Sequence, residues 1–334
     1  VLRQHPLPGR PLEPRFFAID ASIFIFRAYF AGQPPGLISG DAEFAQRFGA
    51  VAGFLRFLLS FRMSICETPT GGESEKSVAH YALLAFDESL GRGWREQLYP
   101  LYKDNRALPD ADLARQLAAC RSIGQALGFP CAANHLFEAD DLLAAGAAVA
   151  REAQLPLTVV SGDKDLGQLL LAADDLWWDG RSAPISRQRW QARQGLAPEH
   201  LADFLALAGD RSDNIPGVQG VGKVAALKII NKYNSLESVF SNLNEISVMP
   251  LRGAAGVAAR LEAQKDEAFL FRQLCRLRAD APRLGELEAY RLEPFFPPRL
   301  AECLEQIGMP ADYIDNLQQR FSPLFKPANG GRAA

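Results

Sequence analysis

Three short apolar runs set the first pattern along the chain: FFAID (Phe16 to Asp20), YALLAFD (Tyr81 to Asp87) and LTVVSGD (Leu157 to Asp163). None alternates apolar with polar, so each predicts a strand buried on both faces, the habit of a parallel sheet. Long segments with apolar positions at helical spacing separate them. DAEFAQRFGAVAGFLRFLLSFR (Asp41 to Arg62), ADLARQLAACRSIGQAL (Ala111 to Leu127) and FEADDLLAAGAAVAREA (Phe137 to Ala153) predict helices. Strands interleaved with helices predict an α/β layer structure with a mainly parallel sheet. All three strand runs end in aspartate. In open α/β sheets the ligand site lies outside the carboxyl ends of the strands, so these acids are expected to converge there. Taken singly, each could equally cap the helix that follows.

From about Arg181 the pattern changes. Strand candidates vanish, and GDRSDNIPGVQGVGK (Gly209 to Lys223) interrupts two helical stretches, ADFLALAGD and KVAALKIINKY. A second, mainly helical region is expected over 181–285. Residues 286–334 are expected to add one or two helices and then lose order, as are residues 1–14, and SICETPTGGESEK (Ser64 to Lys76) reads as a polar loop.

Composition adds boundaries. With 334 residues and 48% hydrophobic content, a sizeable core is expected. No uninterrupted apolar run reaches the roughly 18 to 20 residues that span a bilayer, and the first residues lack the apolar stretch of a secretory signal. The five cysteines are scattered and none forms a CxxC pair, which predicts a reducing, cytoplasmic location. Four histidines without HxH or HxxxH spacing leave oxygen as the donor for any metal.

The acids at the expected active edge are Asp20, Asp87, Glu138, Asp140, Asp141, Asp163, Asp165, Asp210 and Asp213. Nine carboxylates in one pocket would raise each other's pKa, and divalent cations would relieve the repulsion. Oxygen donors alone select Mg²⁺ or Mn²⁺. Two such ions could activate water and stabilise a leaving oxygen at a phosphodiester. Asp210 and Asp213, three apart, are expected on one face of a helical turn, and Glu138, Asp140 and Asp141 are expected to aim inward together.

FFAIDASIFIFRAYFA, LLAFDESLGRGWREQLYPLYKDNR, FEADDLLA, VVSGDKDLGQLL and LALAGDRSDNIPGVQGVGKVAALKII together resemble the ordered motifs of the bacterial 5′-nuclease family. That family includes the nuclease domain of DNA polymerase I, phage 5′-exonucleases and, more distantly, flap endonucleases. The resemblance covers about Phe16 to Asp280 and leaves no acidic position of its two metal sites empty. It implies a PIN-like three-layer nuclease domain over 15–180 with a helical arch at about 90–130, followed by a helical H3TH (helix-hairpin-helix-type) DNA-binding subdomain. It also implies a structure-specific 5′-3′ exonuclease and flap endonuclease in DNA replication or repair, acting as a monomer on DNA with a 5′ single-stranded end, flap or junction. Asp20, Asp87, Glu138, Asp140 and Asp141 would form one metal site and Asp163, Asp165, Asp210 and Asp213 the other. Lys103, Arg106 and Arg27 match phosphate-facing cations. Because the residues after Gly285 are too few for a polymerase domain, a stand-alone nuclease is expected.

DNA contacts can be placed more widely. In RGWREQLYPLYKDNR, Arg95 and Tyr102 are candidates for a single strand, since cations serve phosphates and rings stack on bases. In GVQGVGK, Gly220 and Gly222 would let backbone N–H groups approach a duplex phosphate, with Lys223 and Lys228 adding charge and a K⁺ ion at the turn by resemblance. A net charge of −3 does not oppose this, because neutralising the nine site acids would leave +6. The alternatives are a non-catalytic junction-binding protein on the same fold, which would have lost site acids, and a small PIN-type ribonuclease, which would lack the GVQGVG region.

Overall fold

In the computed structural model, which describes residues 13–31, 42–65, 78–89 and 91–325, a six-stranded sheet is ordered β3-β2-β1-β4-β5-β6. The strands are β1 (Phe16–Asp20), β2 (Tyr81–Asp87), β3 (Cys131–Asn134), β4 (Leu157–Val160), β5 (Leu176–Trp178) and β6 (Ile185–Ser186). Only β6 runs antiparallel. The three apolar runs of the sequence form the centre, with Ile19 of β1 registered on Leu84 of β2 and Val160 of β4. Consequently Asp20 and Asp87 end adjacent strands, and Asp163 follows β4 on the other side of β1. Three further strands escape sequence reasoning because CAAN, LWW and IS are too short to show a period.

On one face lie α1 (Ala21–Phe30), α2 (Ala42–Ile65) and α4 (Ala111–Ala126), while a short α3 (Trp94–Leu98) bonds through Trp94 and Arg95 to Asp141 on the other side of the sheet. α5 (Ala139–Glu152) covers the opposite face, its small residues bringing it against β1 and β2. The helical region holds α6 (Arg187–Gln194), α7 (Leu201–Ala208), α8 (Lys223–Tyr233), α9 (Leu236–Ser241), α10 (Leu243–Ile246), α11 (Ala254–Ala263) and α12 (Lys265–Cys275). Its core is continuous with the α5 side of the sheet.

The chain then returns across the sheet: Leu292 N–H donates to His80 O and Glu293 N–H to Gly128 O. α13 (Pro297–Ile307), α14 (Ala311–Arg320) and α15 (Ser322–Phe325) follow. Their Leu300, Leu304, Tyr313 and Leu317 are buried with Phe44, Phe48 and Leu55 of α2. This explains α2. The stretch Gln46–Ile65 is by length and composition alone long and apolar enough to cross a membrane, contrary to the sequence reading, but 72% of it is buried inside the protein. Helices on both sides make it a core helix.

The described part of the stretch expected to form an arch, 91–130, borders the cleft through Tyr102 and Lys103. α4 packs Leu113, Gln116, Cys120 and Ile123 on the body, and residues 99–106 form turns tied to the 210–215 loop. The expected tails at 1–12 and 326–334, and the loop from 66 to 76, lie outside the described residues.

Candidate metal and nucleic-acid site

Asp20 closes β1 and opens α1. Its Oδ1 accepts from Ile23 N–H (3.2 Å) and its Oδ2 from the Ser161 hydroxyl (2.8 Å), so it is 5% exposed and held rigidly. Burial, then Asp163 and Asp87, pushes its carboxyl up to about 6. Asp87 ends β2, accepts from Ser89, and is also raised, by burial and then Glu138. Asp140, in the first turn of α5, is pushed well above the usual range by burial, Asp163 and Asp20. Asp163 caps the 3₁₀ turn Lys164–Leu169 by accepting from Asp165 N–H (3.0 Å). Asp165 is raised to about 7 by burial and then by Asp163.

Asp210 and Asp213 come from the second region. They do not share a helical turn as their spacing suggested. Asp210 and Ile215 exchange both backbone hydrogen bonds at 2.8 Å, closing a loop with Asp213 on it. Gly209 and Gly217, both at positive φ, pinch its base; a Cβ on Gly217 would lie 2.3 Å from Gly209 N. The Ser212 amide and hydroxyl donate to Asp210 Oδ1, and with Lys164 they hold Asp210 below the usual carboxylate range despite its burial.

Glu138, Asp140, Asp165, Asp210 and Asp213 thus line one cleft, together with Cys275. Its charge balance is partly internal. Lys103 Nζ lies 2.8 Å from Glu138 Oε1 and 3.8 Å from Asp213, and Arg106 pairs with Asp213 at 2.6 Å. Burial disfavours the charged forms here, but Lys103 and Arg95 outweigh it and lower Glu138 below its usual range. Lys103 in turn sits above its usual value because Glu138 and Asp213 outweigh its own burial.

Three expectations change. Asp141 is not placed to hold a metal. Fully buried, its Oδ2 accepts from Trp94 Nε1 (2.9 Å) and Arg95 (2.7 Å), and its Oδ1 from Arg95 (2.8 Å) and Arg278 N–H (3.0 Å), so its lone pairs are spent. Arg95 is not placed to hold DNA: besides Asp141 it reaches Glu138 and Leu274 O (2.8 Å), with 3% of its side chain exposed. Nor is Tyr102 a stacking platform, because its ring is buried and its hydroxyl faces Glu138 and Asp213.

Arg27 donates to Asp179 O (2.7 Å) and crosses the backbone at Gly162, where a Cβ would lie 1.7 Å from its Nη2. It therefore borders the Asp163 side of the site. Gly220, at φ 83°, lies under Arg260, whereas Gly222 has open space where a Cβ would go. Lys223 opens α8 and is exposed, as is Lys228, well away from the acid cleft by chain path. Sequence reasoning passed over Ser161, Lys164 and Asn214; Lys164 lies inside the SGDKD motif, 3.3 Å from Asp165 and 3.6 Å from Asp210.

The donor set suits divalent cations. Asp165 Oδ1 and Asp210 Oδ2 are buried and accept no hydrogen bond, facing the Lys164 ammonium at 3.3 and 3.6 Å, while Asp163 and Asp87 crowd Asp20, Asp163 and Asp20 crowd Asp140, and Asp163 and Asp210 crowd Asp165. Among the described residues, no three His, Cys, Asp or Glu side chains form a ready cage as they stand.

Comparisons with known proteins agree in both regions. Residues 15–192 match the family model of the 5′-3′ exonuclease N-terminal resolvase-like domain, and residues 196–297 that of the 5′-3′ exonuclease C-terminal SAM fold. DNA polymerase I of Pseudomonas aeruginosa is 33% identical over 285 residues, covering 85% of this chain but 29% of that protein. A 5′-3′ exonuclease of Buchnera aphidicola subsp. Acyrthosiphon pisum is 28% identical, over 79% of this chain and 86% of its own length. Among solved structures, zinc-bound T5 5′-exonuclease has a TM-score of 0.57 at 16% identity, covering 94% of this chain and 100% of that one. The catalytic core of Rad2 in complex with DNA substrate also scores 0.57, at 14% identity and 95% coverage of each chain. With both halves of the family's architecture matched in order, the chain belongs to the 5′-3′ exonuclease family of nucleases.

Proposed function

We propose that this chain is a divalent-metal-dependent 5′-3′ exonuclease and 5′-flap endonuclease that cuts DNA at junctions between duplex and a 5′ single strand, in replication or repair in the cytoplasm. The observation that carries this reading is the convergence of acids from the start of α5, the turn after β4 and the 209–217 loop on one cleft, with the strand-end Asp20 and Asp87 near enough to interact with Asp140 and Glu138, and with Lys103 and Arg106 at its edge. Mg²⁺, with Mn²⁺ as substitute, would be held at two positions. Asp20, Asp87, Glu138 and Asp140 would serve the first, and Asp163, Asp165, Asp210 and Asp213 the second. When bound, such ions lower the pKa of an attacking water and stabilise the leaving oxygen of a phosphodiester.

The chain's own residues supply the rest. Lys103 stays protonated through neutral pH, since its carboxylate partners raise its pKa, and Arg106 offers a second charge to the same phosphate. The Ser161 hydroxyl donates to Asp20 Oδ2 and its oxygen accepts from Asp163 N–H, so the Asp20 carboxylate and the backbone that carries Asp163 need not reorganise during reaction. Hydrolysis joins a water oxygen to phosphorus while one P–O bond to sugar breaks and the departing oxygen takes up a proton. The duplex would lie along the 217–223 turn and α8, where backbone N–H groups and Lys223 read phosphate position and not sequence.

The test is a labelled 5′-flap duplex incubated with Mg²⁺. Wild type is expected to release the flap near its base. Asp210→Ala should lose more than about 100-fold in rate, the scale on which even supporting partners of a metal ligand matter, with DNA affinity kept. An intact flap after incubation of wild type with Mg²⁺ or Mn²⁺ overturns the reading in favour of a non-catalytic junction binder.

A further inference from the structure

We propose that Asn214 is a positioning residue for Lys103, through a clasp that joins the 209–217 loop of the helical region to the 99–106 turns of the nuclease domain. The inference rests on the nuclease reading above. The amide Nδ2 of Asn214 donates to Leu101 O and to Asp104 Oδ1, each at 2.7 Å, using both of its hydrogens on the residues that flank Tyr102 and Lys103. In return, Lys103 N–H donates to Asp213 O (3.0 Å), and Arg106 Nε to Ser212 O (3.1 Å).

The backbone at both ends is in the left-handed region. Lys103 has φ 52° and Asn214 φ 54°. Asparagine tolerates that conformation; lysine does so poorly, and persists there only where its surroundings impose it. The clasp is such a surrounding. It holds the one turn that aims the Lys103 ammonium at Glu138 rather than outward.

The loop that carries Asn214 is itself stiff, pinned by the Asp210 and Ile215 pairing and by the Gly209 and Gly217 contact. It continues through Val218, whose N–H donates to Leu207 O, into the turn before α8. The position of the proposed duplex grip is therefore transmitted to Lys103 by a short rigid path. Asn214 itself lies outside the acid cleft and acts only through the residue it orients.

The test combines Asn214→Gly with Lys103→Ala in single-turnover cleavage of the flap duplex with Mg²⁺, and measures DNA affinity separately with Ca²⁺. Glycine keeps the left-handed backbone and deletes only the clasp bonds. Asn214→Gly is expected to slow cleavage by about 10- to 100-fold, as small misplacements of a reacting group do, with affinity unchanged. The double variant should be no slower than Lys103→Ala alone, because both changes remove one function. A wild-type rate in Asn214→Gly, a double variant slowed by both factors, or a loss confined to affinity each overturns the proposal. Asp104→Ala removes one acceptor from outside the pinched loop and must show the same dependence on Lys103; it decides the matter if Asn214→Gly does not fold. Wild type that leaves the flap intact overturns the nuclease reading, and the clasp with it.

Discussion

Replacing Arg95 by methionine tests the buried charge network between the two regions. The Arg95 guanidinium makes two short bonds to Asp141, at 2.7 and 2.8 Å, and one to Glu138 at 3.2 Å, and its Nε donates to Leu274 O at the end of α12. With 3% of the Arg95 side chain and none of the Asp141 side chain exposed, water cannot stand in for either partner. Methionine fills most of the stem volume but leaves Asp141 with two neutral donors, Trp94 Nε1 and Arg278 N–H. Breaking one side of a buried pair costs about 3–5 kcal/mol, and those two surviving bonds place this case near 3 kcal/mol. In urea, with a slope of about 3 kcal/mol per molar, the unfolding midpoint should fall by roughly 1 M. The double variant Arg95→Met with Asp141→Leu should regain much of the loss, since no charge remains buried alone. A single variant within about 1 kcal/mol of wild type refutes the reasoning, because that is the range of an exposed ion pair. The same protein also checks the corrected role of Arg95. If Arg95 touched a phosphate, its loss would reduce the salt dependence of DNA binding by about one ion; no change is expected.

Two further outcomes follow from the site. Without metal, Asp20 and Asp165 carry folded-state values of about 6 and about 7, above those of an unfolded carboxylate. A raised acid binds its proton more tightly when folded, so the stability it contributes is full below about pH 4 and is lost as pH rises through about 7. In EDTA the melting temperature should therefore be lower at pH 8 than at pH 5.5, with Mg²⁺ restoring it at pH 8; equal melting at both pH values in EDTA would count against the crowded-acid site. Glycine substitutions separate packing from DNA contact. Gly217→Ala drives a Cβ to 2.3 Å from backbone at positive φ and should cost upwards of about 3 kcal/mol, whereas Gly222→Ala has open space and should cost about 1 kcal/mol or less. If Gly222→Ala weakens duplex binding while melting normally, that space serves the ligand; unchanged binding would remove Gly222 from the duplex grip.

The central sheet was legible in the sequence because FFAID, YALLAFD and LTVV are continuous apolar runs, and burial on both faces is a property each run carries locally. The chemistry of the site was legible for a similar reason: a chain with its acids at strand ends and no paired histidine or cysteine offers oxygen donors, and the one sulfur that folding adds to the cleft, Cys275, is held as a thiol by burial. What periodicity could not show were β3, β5 and β6, too short to declare a period, and the covering of α2, whose apolarity is explained by α1 and α4 together with the helices near the C-terminus. Nor could it show how the acids divide. Asp141 is next to Asp140 in sequence, yet one helical step turns it away from the cleft and onto Arg95, 46 positions earlier. Tyr102 and Arg95 read as a DNA-binding face until folding buries them. Asn214 gains its meaning from Leu101, 113 positions away. Residue type and local spacing determine which elements form and what chemistry is available. Which charges are neutralised internally, and which remain open to a metal or a phosphate, is decided by contacts between distant segments, because only their closure sets the burial and the distances on which electrostatic energy depends.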